Sequence, residues 1–185
     1  MPRQMTDHTL DAIKGWPSPY AVDYSAKFKA ADIVTLAAAG TEPRAGRVVT
    51  LDSNGDFVYG MADYQMPLFL FASQNDPDVS NAGGDPAGTA ADAGSWVPIV
   101  PNGKLLALVA TGGYELETTE FVAATYVYNE WLKAATGTTD ASSGKLVTVA
   151  QGAAACCGVV SRPTRTNAYG RSVLAFWPVF KPKAS

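Results

Sequence analysis

Short apolar runs recur along the chain, and turn-forming residues separate them. Each run covers a few residues and is rich in Val, Ile, Leu or aromatic side chains, which is typical of β-strands. We predict strands at residues 33–36, 47–51, 57–59, 68–71, 104–110, 114–118, 145–150, 156–161 and 173–180. Because Pro178 cannot donate a ladder hydrogen bond, the last strand should end or kink there, or lie at a sheet edge.

A β-hairpin is the clearest local prediction. Residues 47–51 and 57–59 flank the sequence Asp-Ser-Asn-Gly-Asp. Asn54 and Gly55 in its centre tolerate the positive φ angles of a tight turn. The two runs should therefore pair as neighbouring antiparallel strands.

Residues 119–135 are ambiguous between helix and strand. Phe121, Thr125, Tyr128 and Trp131 would share one helical face. The segment 122–128 is nevertheless rich in Val, Thr and Tyr, which favour strands. We predict strand here and keep the helix as the alternative.

These elements predict an all-β fold, and eight to ten short strands favour a small β-barrel or a jelly-roll-like sandwich. A chain of 185 residues is the size of one domain, and we assign residues 31–185 to that single β-barrel domain. A hydrophobic fraction of 47% with 17% charged residues indicates a packed core rather than a disordered chain.

One long loop interrupts the predicted domain. Residues 74–95 consist mainly of Gly, Ala, Asp and Pro and show no hydrophobic periodicity. Asp76, Asp78 and Ser80 are spaced like the start of a calcium-binding loop. Asn81 and Ala87 stand where that motif needs Gly and Glu. We interpret the segment as a surface loop without a metal.

The first 30 residues have a different pattern, with single apolar residues and a Trp-Pro-Ser-Pro-Tyr sequence that excludes helix in its middle. We interpret residues 1–30 as an extended N-terminal arm. Trp16, Tyr20, Tyr24 and Phe28 are its predicted contacts with a neighbouring molecule, since aromatic residues are common interface anchors. The four-residue spacing of the last three also allows one helical face.

Charge is unevenly distributed along the chain. Residues 1–140 hold all 17 acids and eight bases, a formal charge of −9, whereas residues 141–185 hold six bases and no acid. Either the basic strands pair with acidic strands of the same fold, or they form a basic face for an acidic partner. The overall charge of −3 and the sparse bases argue against nucleic acid.

The chain offers little that could form a catalytic site. His8, the only histidine, lies in the predicted arm, so a nucleophile–histidine dyad is not expected. Cys156 and Cys157 are adjacent, a disulfide between them would be strained, and we expect one or both to be small buried residues. Three Cys and His residues cannot form a standard zinc site. We predict no enzyme, no cofactor and no metal.

Two weaker possibilities remain open in the sequence. Glu115 and Glu117 would share one strand face, as the two carboxylates of a glycosidase could, although a solvated face is the simpler interpretation. Carbohydrate binding could use exposed tryptophans, although core or interface packing is the commoner use of this residue. The tryptophans are Trp16, Trp96, Trp131 and Trp177.

The N-terminal sequence has no apolar stretch of the signal-peptide kind, and no run approaches the ~20 apolar residues that span a bilayer. We therefore expect a protein that is made in the cytoplasm and has no membrane partner.

A family resemblance completes the sequence-based interpretation. The C-terminal half contains Phe121, Tyr-Asn-Glu-Trp-Leu at 128–132, Gly-Lys-Leu at 144–146, Gly-Val-Val-Ser at 158–161 and Leu-Ala-Phe-Trp-Pro at 174–178. Together with the hairpin sequence at 46–55, this pattern resembles capsid decoration (cement) proteins of tailed phages. It covers about half of the chain, discontinuously.

The resemblance implies a β-barrel that binds the outside of the mature capsid and stabilises subunit junctions. The implied partners are the major capsid protein and further copies of the chain, as a dimer or trimer. The implied location is the virion surface, after synthesis in the host cytoplasm. Another virion component, such as a tail or fibre part, and a carbohydrate-binding β-module are the alternatives.

Overall fold

The structure is a computed structural model. It describes residues 10–14, 23–26, 28, 46–70, 99–100, 104–109, 113–135, 142–167, 170–181 and 183. In these ranges the chain forms β-strands joined by turns and irregular segments, and no helix. The strands are β1 Leu10–Lys14, β2 Asp23–Ala26, β3 Val48–Leu51, β4 Phe57–Tyr59, β5 Leu68–Leu70, β6 Ile99–Val100, β7 Lys104–Val109, β8 Glu115–Thr118, β9 Trp131–Ala134, β10 Leu146–Val149, β11 Gly158–Thr166 and β12 Ser172–Pro178.

The strands form two antiparallel sheets, which confirms the all-β prediction. Sheet A has the order β1-β8-β12-β11-β9-β10, and sheet B has the order β2-β7-β5-β3-β4, with β6 pairing β7. Neither sheet closes into a barrel within the described strands, so the barrel half of the prediction is wrong. Sheet A ends at β1 and β10 because no described strand pairs with their outer edges.

The first hydrophobic core contains side chains from both sheets. Val48 and Phe69 come from sheet B, whereas Leu116, Leu132 and Phe176 come from sheet A. The rings of Phe69 and Phe176 meet at a centroid distance of 5.3 Å, which is a favourable separation for an aromatic pair. Burial of this shared apolar surface holds sheet A against sheet B.

A second core covers the opposite face of sheet B. Neighbouring residues on a strand point to opposite faces, so Val48 belongs to the first core and Val49 to the second. Phe28 packs in the second core against the rings of Phe57 and Tyr59, at centroid distances of 6.0 and 5.1 Å. Sheet B therefore buries apolar side chains on both faces, which explains its continuous apolar runs.

The predicted hairpin is confirmed as β3 and β4, with Leu51 opposite Phe57. Only Gly55 takes the positive φ of the turn, at 79°. Asp52 organises the remainder, since its Oδ1 accepts hydrogen bonds from the amides of Asn54 and Asp56 at 2.8 and 3.0 Å. The turn thus depends on an aspartate side chain as well as on the glycine.

The ambiguous segment 119–135 is not a helix, and strand forms only at β9. Residues 121–130 are irregular and are anchored by Tyr126, whose hydroxyl lies 2.7 Å from the Val122 carbonyl oxygen and 3.1 Å from that of Leu146. The last strand ends at Pro178, as predicted. The predicted strand 33–36 and the loop 74–95 lie outside the described residues.

The predicted arm contributes strands to both sheets. Leu10–Lys14 pairs with β8 at the edge of sheet A, and Asp23–Ala26 pairs with β7 at the edge of sheet B. Phe28 is only 3% exposed, so its ring packs inside this chain and is not presented to a neighbour. Trp16, Tyr20 and the side chain of Tyr24 lie outside the described residues.

Candidate interaction surface

A buried ion pair joins the two sheets. Arg47 precedes β3 of sheet B, and its Nε donates to Oε2 of Glu120, which follows β8 of sheet A, at 2.7 Å. The same guanidinium donates from Nη1 to the Ser143 carbonyl at 3.0 Å and lies 5.4 Å from the ring centroid of Tyr59. Both charged side chains are at most 2% exposed. Such a pair fixes the relative position of the sheets and is not available to a ligand.

The outer face of sheet A, opposite the first core, carries an apolar row across four strands. Val159 of β11 is directly opposite Trp177 of β12 on one side and Trp131 of β9 on the other. Val149 of β10 is opposite Trp131 and extends the row. Trp177 is 45% exposed and the other three are partly exposed. We call these four residues the tryptophan row.

Two ion pairs cross β12 beside this row. Arg162 of β11 binds Glu115 of β8 through two contacts, Nε to Oε1 at 2.8 Å and Nη2 to Oε2 at 2.9 Å. Arg165 of β11 likewise binds Glu117 of β8 across the sheet. Ala175 lies between the two strands at this level, and its small side chain leaves room for the charged groups to meet above it.

These contacts correct the sequence-based interpretation of the acidic cluster. Glu115 and Glu117 are not a solvated face, since they are 3% and 8% exposed and each is held by an arginine. The two arginine side chains, 37% and 41% exposed, cover the carboxylates. Of the two interpretations of the charge asymmetry, pairing of basic with acidic strands within the fold therefore holds for Arg162 and Arg165.

Burial disfavours the ionised forms of two thiols and one phenol. Cys156 and Cys157 are both free and fully buried, which confirms their expected role as small core residues. Burial raises the pKa of both thiols, and for Cys157 the neighbouring Cys156 adds to the effect. Burial, followed by the charge of Glu130, raises the pKa of Tyr126 to about 12. Thiolate and phenolate chemistry is thus disfavoured at these positions.

The described residues contain no group of three or more His, Cys, Asp and Glu side chains that could hold a metal ion. Among the same residues there is no helix with the length and apolar character needed to cross a membrane.

Sequence reasoning named Trp131 and Trp177 among four candidate tryptophans for carbohydrate binding but did not find that the two share one row. Trp131 and Trp177 stand 46 positions apart in the chain, so no local pattern contains both. The signal that could have found them is the outward position of each in its own strand. Their alignment, however, depends on both strands pairing with β11 at Val159. Local sequence does not determine which strands become neighbours in a sheet.

Comparison of the chain with protein-family models, curated proteins and solved structures gave no match. The fold and the exposed row by themselves define the class: an all-β protein of two packed antiparallel sheets with an exposed aromatic row.

Proposed function

We propose that this chain is a structural virion protein that binds the outside of a mature phage capsid and stabilises the junctions between capsid subunits. The supporting observation is the attachment of the N-terminal segment. β1 lies at the edge of sheet A and β2 at the edge of sheet B, so the strands that precede and follow the Trp-Pro-Ser-Pro-Tyr sequence both belong to the fold. Trp16 and Tyr20 are the proposed anchors on the major capsid protein.

A protein that binds only the assembled shell stabilises that state by mass action. Many copies, arranged as dimers or trimers, multiply a modest affinity per site.

The finer architecture belongs to the same proposal. We infer a jelly-roll-like sandwich from the two antiparallel sheets and from the first core, which contains side chains of both. The ion pair between Arg47 and Glu120 joins the two sheets, so force on one sheet is transmitted to the other. This property suits a protein that stabilises a shell.

Co-sedimentation with purified phage heads tests the proposal. The full chain is mixed with mature heads and with unexpanded shells of the phage that encodes it, and bound copies per particle are counted. We expect saturable binding of hundreds of copies to mature heads only. A few copies per particle would identify a tail or fibre component, and no binding to mature heads would overturn the proposal.

A double variant, Trp16→Ala with Tyr20→Ala, tests the anchors. Deletion of residues 1–30 is unsuitable because it would remove β1, β2 and the core residue Phe28. The matched control is Tyr128→Ala, which removes a 63% exposed aromatic ring from the loop before β9. Loss of head binding in the double variant but not in the control supports the anchor role. Equal binding by the wild type and both variants would exclude it.

A further inference from the structure

The tryptophan row has the properties of a ligand platform. A 45% exposed tryptophan on a sheet face leaves a large apolar surface in water. In this row the second indole, Trp131, lies two strands away from Trp177, with the smaller Val159 between them. Since neighbouring strands are ~4.8 Å apart, the two tryptophan positions are separated by about 10 Å.

Polar groups next to the row are held in fixed positions. Leu116 of β8 is opposite Phe176 of β12. Because the strands are antiparallel, the residue before Leu116, Glu115, lies beside the residue after Phe176, Trp177. Arg162, which holds Glu115 through two of its nitrogens, is 37% exposed. Guanidinium N–H groups are strong hydrogen-bond donors to hydroxyl groups. The exposed indole is thus bordered by a donor group that the buried Glu115 holds in place.

The charges on this face indicate an uncharged ligand. Arg162 and Arg165 are compensated by Glu115 and Glu117, and Lys133 adds one further cation among the described side chains of the face. A nucleic acid or another polyanion would need several uncompensated cations along its length. A neutral chain that carries both apolar faces and hydroxyl groups complements this face better.

We propose that the outer face of sheet A is a binding site for a neutral, extended polysaccharide. One sugar ring packs its apolar C–H face on Trp177 and a second ring further along packs on Trp131, so that the chain crosses β11 above Val159. Dispersion and burial of apolar surface provide the affinity. Hydroxyl groups of the sugar on Trp177 accept hydrogen bonds from the exposed part of the Arg162 guanidinium, which Glu115 holds in position from below. The site is independent of the capsid role.

Affinity electrophoresis of the full chain tests this site. The native gels contain hydroxyethyl cellulose, xylan or dextran as neutral probes, and polygalacturonate or oligo-dT as anionic ones. We expect retardation by at least one neutral polysaccharide, unchanged by added salt because no net charge is neutralised on binding. Retardation by the anionic probes alone, abolished by salt, would overturn the proposal, as would the lack of retardation by every probe.

Variants connect the binding to the row. Trp177→Ala should weaken binding by about tenfold or more, corresponding to the ~1.4 kcal/mol or more expected for a stacked ring, and Trp177→Phe should restore part of it. Phe180→Ala is the matched control, because Phe180 is 38% exposed and lies beyond the end of β12. Unchanged thermal melting confirms that each variant is folded. Full binding by Trp177→Ala would exclude the row as the site.

Discussion

The side chains of Arg47 and Glu120 form a fully buried ion pair between the two sheets, with Nε and Oε2 2.7 Å apart. Burying two charges costs desolvation energy, which is offset only when each charge keeps its partners. Here Arg47 also donates to the Ser143 carbonyl and packs over Tyr59. Removal of either charge leaves the other one buried without its counterion.

We therefore expect Glu120→Leu to lower the free energy of unfolding by about 3–5 kcal/mol. The apolar double variant Arg47→Met with Glu120→Leu should cost clearly less than the sum of the two single changes, because neither charge is then stranded. Urea denaturation of the wild type, the two single variants and the double variant measures this coupling. Strictly additive costs would show that the pair does not act as a unit.

Gly144 is packed against the other sheet. A Cβ at this position would lie 2.6 Å from Cδ1 of Tyr59 and 2.8 Å from the Val48 carbonyl oxygen, and its φ is +73°. Gly55 is a matched control, with φ at +79° and no atom within 4 Å of the position that a Cβ would take. Gly55→Ala should cost about 1–2 kcal/mol for its backbone conformation. Gly144→Ala should cost more than that, because the clash is added, and equal urea midpoints would contradict this.

Tyr126 makes the free energy of unfolding depend on pH in the alkaline range. Its pKa is raised to about 12 in the folded protein, from an ordinary value near 10. The unfolded chain therefore loses the phenol proton first, and the free energy of unfolding falls as pH rises from about 10 to about 12.

Tyr126→Phe should cost about 1 kcal/mol or more at neutral pH, since the hydroxyl hydrogen bond is lost. The difference in stability between wild type and variant should shrink between about pH 10 and 12, because only the wild type has this phenol. Urea midpoints measured across that range test the sign. A constant difference would mean that the pKa of Tyr126 is not raised.

Phe28 distinguishes a core residue from an interface anchor. It is 3% exposed and contacts the rings of Phe57 and Tyr59, so Phe28→Ala should cost about 3–5 kcal/mol. Phe180→Ala, at an exposed position, should change the stability by less than about 0.5 kcal/mol. Thermal melting of both variants tests this difference. A loss of head binding without a loss of stability in Phe28→Ala would instead support an anchor role.

The two thiols should be unreactive in the native state. Cys156 and Cys157 are fully buried and free, and the raised pKa of each disfavours the thiolate that reacts with disulfide reagents. We expect no labelling by Ellman's reagent under native conditions and labelling of two thiols in denaturant. Rapid labelling of the native protein would show that this part of sheet A opens readily.

The sequence by itself determined most of the local structure. Alternation and apolar runs predicted β3, β5, β7, β8 and β10–β12, because the side-chain period of a strand and its β-branched composition are local properties. The hairpin between β3 and β4 followed from Asn54 and Gly55, and the end of β12 followed from the missing amide hydrogen of Pro178. The burial of at least one cysteine was likewise predictable from residue type.

The tertiary structure alone decided how these strands are arranged and what they expose. The sequence predicts that Glu115 and Glu117 form a solvated strand face. In the fold, Arg162 and Arg165 of β11 reach across β12 and bind them. Trp131 and Trp177 align only through Val159. Phe28 belongs to a predicted arm in the sequence and to a core in the fold. The physical reason is that distant strands pair in the arrangement that best buries apolar surface and pairs charges over the whole chain. That arrangement depends on contacts between residues far apart in sequence, which a short stretch of sequence does not reveal.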